Sequence, residues 1–181
     1  MIPVWSRRIG ESRREMKRFV LVLVLAAVLR MSGVLPFHGI DVAGLVPLET
    51  LTVDWDGRSV ILNGGLCCGY GGDWDASLED LRRGAEGVAF LGTVEQIVLS
   101  KNAAHLLPDV IRSDVLRPAA VVCVSAGELP EPEEITKYLS AHDAKVTIQK
   151  VQAAVLRGEG IALPVLKNTE GGLRLIEAEN R

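Results

Sequence analysis

Apolar and polar positions change period several times along the chain. Phe19 to Leu29 is an unbroken apolar run of eleven residues directly behind Lys17 and Arg18. A basic flank followed by a run of this length reads as the h-region of a secretory leader. A spanning helix wants about 20 apolar residues; here Arg30 intervenes before the mostly apolar Met31 to Phe37. Residues 16–37 are therefore expected to form an apolar targeting helix, with cleaved signal and uncleaved anchor both open. Neither a clear small-x-small cleavage site nor a cysteine able to take a lipid follows the run. Residues 1–15 carry Arg7, Arg8, Arg13 and Arg14 with little apolar content, and Met16-Lys17-Arg18 resembles an ordinary signal start. The first 15 residues are thus expected to be an over-long start or disordered.

Behind a tether at Pro36–Gly44, the period becomes two. Leu51 and Val53 alternate with polar neighbours, Asp56-Gly57 supplies a two-residue turn, and Val60 and Leu62 alternate again, which predicts an opening β-hairpin. Gly64 to Asp73 has no period and predicts a loop. Ser77 with Asp80 resembles a capping box, and Leu78, Leu81 and Ala85 continue at helical spacing to about Glu86. Val94–Leu99 predicts a strand. Ala103, Ala104, Leu107, Val110 and Ile111 predict a helix split or restarted at Pro108. Ala119–Val124 is a continuous apolar strand of the kind covered on both faces. Pro132 suits a first helical position before Ile135, Tyr138, Leu139 and His142, and Glu131, Glu133 and Glu134 complement the helix dipole. Ile148, Val151 and Val155 mark another helix, ended by Gly158 and Gly160. Ile161–Leu166 and Leu173–Glu177 predict a last hairpin across Asn168–Gly172, with Pro164 confining its strand to an edge. The expected fold is a single α/β domain over residues 45–181, a mixed β-sheet with flanking helices.

Charge separates the two parts of the chain. Seven of the 20 basic side chains and two of the 23 acidic ones precede Met31, which leaves 13 basic against 21 acidic behind it, a balance of −8. That sign argues against a nucleic-acid partner, since phosphate binding relies on clustered Lys and Arg. Cys67, Cys68 and Cys123 allow at most one ordinary bridge, and Cys123 sits in an apolar strand as a small hydrophobe. His38, His105 and His142 are scattered, so no metal site and no cofactor is expected.

Candidate chemistry is sparse. The Gly64–Gly72 stretch lacks both Gly-Lys-Ser/Thr and Gly-x-Gly-x-x-Gly, and Asp73 and Asp75 would repel an anion; a cation with oxygen ligands suits them better. Asp54 and Asp56 flank Trp55 as turn chemistry rather than as a catalytic pair. Ser100, Ser125 and His105 occur without a nucleophile elbow, so no enzymatic activity is expected. Trp55, Tyr70 and Trp74, around the hairpin and the glycine stretch, form a partner surface if they cluster in the open. A secreted small-ligand-binding domain using Gly64–Gly72 is the alternative to an interaction domain.

The order of elements resembles the Ger(x)C family, the C subunits of spore germinant receptors. The likeness rests on the apolar leader, a hairpin ending in Val53-Asp54, and Ser77 to Leu81. It continues through Phe90-Leu-Gly-Thr-Val-Glu-Gln-Ile-Val-Leu-Ser100 with Ala103-Ala104, Arg112-Ser-Asp114, Val121 to Gly127 and Gly160-Ile-Ala-Leu-Pro164. It spans Val46 to Leu166. Thr93 stands where the family commonly has His, the lipid-bearing Cys is missing, and members continue into further domains. The resemblance implies a non-enzymatic, extracytoplasmic protein on a spore-former's membrane, held there by its N-terminal segment and associated with membrane-embedded germination receptor subunits.

Overall fold

The structure, a computed structural model, describes residues 19–21, 24, 44–142 and 144–176. The expected start at residues 1–15 lies outside the described residues, and so does the targeting helix at 16–37 apart from residues 19–21 and 24, which are helical. Among the described residues no helix is long and apolar enough to cross a membrane.

Ala43–Arg181 forms one compact unit. Its strands are β1 (Leu45–Pro47), β2 (Thr50–Trp55), β3 (Val60–Asn63), β4 (Cys68–Gly71), β5 (Val88–Phe90), β6 (Gln96–Leu99), β7 (Val121–Ser125), β8 (Val165–Thr169) and β9 (Gly172–Ile176). Its α-helices are α1 (Trp74–Gly84), α2 (Leu107–Arg112), α3 (Pro132–Leu139) and α4 (Ile148–Leu156). Seven strands make a mixed sheet in the order β4-β3-β2-β6-β7-β8-β9. Strands β2, β6, β7 and β8 run parallel; β3, β4 and β9 are antiparallel to their neighbours. A separate parallel ribbon of β1 and β5, which the short apolar stretches did not predict, precedes the amino end of β2.

Alternation along the strands sorts the core into two layers. Leu51, Val53, Ile97, Leu99 and Val122 pack with Leu78 and Leu81 of α1, Val110 and Ile111 of α2, and Ile148 and Val151 of α4. On the opposite face Val98, Cys123 and Leu166 meet Ile135 and Leu139 of α3. One eight-residue helix is thus the helical cover of that second face among the described residues.

The opening hairpin forms with Trp55 opposite Val60, but its connection is four residues, not the expected two. The Asp56 carboxylate accepts the amides of Arg58 (2.8 Å) and Ser59 (2.7 Å), an Asx turn in which only Gly57 takes a positive φ, +94°. A type I′ turn needs positive φ at both central positions, which Asp56 does not supply. The Ser59 and Arg58 amides hold the Asp56 carboxyl below its ordinary 3.8. A depressed folded-state value stabilises above the unfolded value and is lost as pH falls through the folded one. Asp56→Ala is therefore expected to lower the urea midpoint at pH 7 and to have less effect at pH 3, read from paired denaturation curves.

The predicted loop at Gly64–Asp73 is irregular at both ends but contains strand β4 at its centre. Cys68–Gly71 pairs antiparallel with β3, and its inward positions are Gly69 and Gly71. A β-carbon on Gly69 would collide with the Ser77 carbonyl oxygen and stand 2.5 Å from the Leu81 nitrogen; one on Gly71 would collide with the Ser77 nitrogen. Glycine is required because the backbone of α1 lies directly on the strand. The cap of α1 is Asp73, whose carboxylate accepts the Ala76 amide, one turn ahead of the predicted capping box. Ser77 is instead buried, with its hydroxyl against the carbonyls of Val60 and Asp73.

Pro108 restarts the helix as expected: a 3-10 turn at Asn102–Leu106 passes into α2. Pro132 opens α3. Pro164 does not confine β8 to an edge. It lies just outside the strand, its carbonyl accepts the Val124 amide, and β9 is the edge. Both edges carry a side-chain cap on an outward amide. Asp80 accepts the Tyr70 amide of β4 at 3.0 Å, and the Tyr138 hydroxyl accepts the Leu175 amide of β9 at 2.8 Å. Occupied edge amides discourage pairing with another strand.

Candidate functional site

Strand register brings together residues that are distant in sequence. Asp54 lies opposite Ile61, and Ile61 opposite Tyr70, so the three form a row on the face carrying α3. Ser100 extends the row beside Asp54, its amide bonded to the Val53 carbonyl at 2.8 Å. At the carboxyl ends of β2, β6 and β7, Asp54, Ser100, Lys101 and Asn102 face Gly127 and Glu128 across a cleft of about 300 Å³. The carboxyl ends of parallel strands are where open α/β sheets ordinarily place ligands.

Local hydrogen bonds fix most of these groups. One Asp54 carboxylate oxygen accepts the Trp55 amide at 2.8 Å. The buried Ser100 hydroxyl accepts the Ala103 amide at 3.1 Å and starts the 3-10 turn. His105 Nδ1 is 2.8 Å from the Asn102 carbonyl, and its ring stands edge-on to Trp55 with centroids 5.4 Å apart. The Ser125 hydroxyl is 3.3 Å from the Glu128 carbonyl. These serines and this histidine are engaged with backbone groups and with Trp55, not with one another. Two carboxylates and an ammonium on the rim suit recognition of a polar, charged surface.

The three aromatic residues singled out in the sequence do not share a surface. Tyr70 is 59% exposed. Trp55, one residue beyond Asp54, points to the opposite face, where it packs half-buried on the larger core layer. Trp74 is only 5% exposed, and its indole N–H is buried without a partner. Beside Tyr70 the same face carries half-buried Ile61 and exposed Cys68, while Leu66, 73% exposed, lies in the β3–β4 turn.

Asp73 and Asp75 line a hollow of about 420 Å³ with Asp109, Asp114 and Arg112, but Asp73 is occupied as the α1 cap. Among the described residues no three His, Cys, Asp or Glu side chains are placed to hold a metal ion. All three cysteines are free, Cys68 exposed and Cys67 and Cys123 buried. Burial raises the Cys67 thiol and pushes the Cys123 thiol up to about 12. Because the thiolate is the reactive form, Cys68 is expected to alkylate rapidly in the native protein at pH 8 and Cys123 only after unfolding. Peptide mass mapping over a time course checks the order.

Comparison with known proteins finds no matching family model and no match among curated proteins or solved structures.

Proposed function

We propose that this chain is a non-catalytic, extracytoplasmic, membrane-associated interaction domain related to the C subunits of spore germinant receptors. The observation that supports an interaction role is the sheet face around β3 and β4. Among the described residues α3 is the one helix packed on that face, and half-buried Ile61 and exposed Tyr70 continue the row that starts at Asp54, with exposed Cys68 two residues from Tyr70 on the same strand face. The side-chain caps on Tyr70 and Leu175 turn both sheet edges away from strand addition, which leaves this face as the surface for a partner. The apolar run Phe19–Leu29 behind Lys17-Arg18 supports export and membrane association.

Small-ligand binding at Gly64–Gly72 is the weaker alternative. The inward side of Gly69 and Gly71 is filled by α1, so no cradle remains there. A photo-crosslinker at Tyr70 in the native host tests the interaction role. Crosslinking to an integral membrane protein, together with slowed germination of spores lacking the chain, is the expected result. Absence of any protein crosslink overturns the interaction role; unchanged germination with every germinant tried removes the germination assignment.

A further inference from the structure

We propose that the outward apolar face of the β1–β5 ribbon rests on the lipid surface, an inference that builds on the membrane association proposed above. Residues in register on a parallel pair present their side chains to the same side. Leu45 with Val88 and Pro47 with Phe90 therefore form one face, and Val46 with Ala89 the other. Ala89 is buried in the core and Val46 packs against it. The outward face carries no polar side chain at any of its four positions. Val88 is 48% and Phe90 45% exposed, Pro47 is exposed and Leu45 half-buried.

The ribbon is a fixed platform. The Thr93 hydroxyl accepts the Leu48 amide at 3.1 Å and lies 2.6 Å from the Phe90 carbonyl oxygen, which ties the end of β1 to the turn after β5. The Phe90 ring lies over Gly92, where an added β-carbon would stand 3.1 Å from the ring. Scattered apolar side chains are ordinary on a surface, whereas four adjoining ones on a pinned ribbon mark a contact face.

Chain continuity selects lipid as the occupant. Leu45 follows the apolar run Phe19–Leu29 after only the segment 30–44, whose fully extended reach is about 50 Å. Among the described residues β1 is thus the first strand met beyond the apolar run, and β5 is its one partner in the ribbon. Strand β1 also precedes the amino end of β2, while the Asp54–Glu128 cleft and the β8–β9 turn lie at the carboxyl ends of the parallel strands. Seating Val88 and Phe90 among lipid headgroups leaves the cleft turned outward. Apolar side chains held at the headgroup boundary bind in proportion to the area they bury.

The test uses the full-length chain with Cys68→Ser, carrying an environment-sensitive fluorophore at Val88→Cys or Phe90→Cys, in phosphatidylethanolamine–phosphatidylglycerol vesicles. A label at Glu170→Cys, in the exposed β8–β9 turn, is the reference. The labels at 88 and 90 are expected to shift to the blue and to lose intensity when the lipids carry nitroxide, while the label at 170 does neither. Labels at 88 and 90 as aqueous as that at 170, on protein that floats with the vesicles, overturn the ribbon contact alone. Blue-shifted labels that lipid nitroxide does not quench identify a protein cover, such as a second copy, and likewise overturn it. Protein that fails to float removes the membrane association and this inference together.

Discussion

Gly69→Ala is expected to destabilise the domain by about 3 kcal/mol, the upper range for forcing a methyl group into a filled interior. The clash is with backbone, not with a flexible side chain. The Ser77 carbonyl and the Leu81 nitrogen of α1 occupy the space a β-carbon needs. Relief requires moving α1 off β4, and that movement pulls buried Leu78 and Leu81 out of the larger core layer. It also strains the bond from the Ser77 hydroxyl to the Val60 carbonyl. Gly72→Ala is the control, since nothing lies within 4 Å of its added methyl group and its φ is not positive. A change within about 0.5 kcal/mol is expected there. Urea denaturation of the two variants checks the pair. Equal midpoints would mean that the glycines of β4 serve chain flexibility and not close packing.

Removing residues 16–37 is expected to transfer the protein from the membrane pellet to the soluble fraction almost completely. The deleted segment contains the whole run Phe19–Leu29 and its basic flank Lys17-Arg18. Ala43–Arg181 is a compact unit by itself, so the shortened chain should keep its cooperative unfolding. The exposed ribbon alone, with two large apolar side chains at 48% and 45% exposure, offers far less area than an eleven-residue apolar segment. Fractionation of both forms with a salt wash checks the prediction. Full-length protein found wholly in the soluble fraction would contradict it.

Much of the fold is legible where side chains carry the pattern. Alternation at Leu51, Val53, Val60 and Leu62 locates the opening hairpin, and the unbroken Ala119–Val124 locates the interior strand β7. Strand β4 is not legible because its inward side chains are missing; glycine erases the period at the position where a helix backbone needs the space. The capping box at Ser77 misleads because a serine hydroxyl can equally bond a carbonyl one turn back, as it does to Asp73. Strands β1 and β5, three residues each, are too short to display a period. Pro164 misleads because proline excludes only its own position from a ladder, and β8 begins one residue later.

The candidate site was hidden for a different reason. Asp54, Ile61, Tyr70 and Ser100 form one row through inter-strand register, and the Gly127–Glu128 loop faces Asp54 and Ser100 because β7 runs parallel to β6. Aromatic type alone does not separate Trp55 and Trp74 from Tyr70. Period two already places Trp55 on the opposite face from Asp54, so the one aromatic residue of the three left in the open is Tyr70.

If the domain stands outside the cytoplasm on a membrane, as proposed, protease added to intact protoplasts of the source organism reaches it. The folded domain is expected to be cleaved or shed from outside, with a cytoplasmic marker untouched. Protection of the domain until the protoplasts are lysed would contradict that placement.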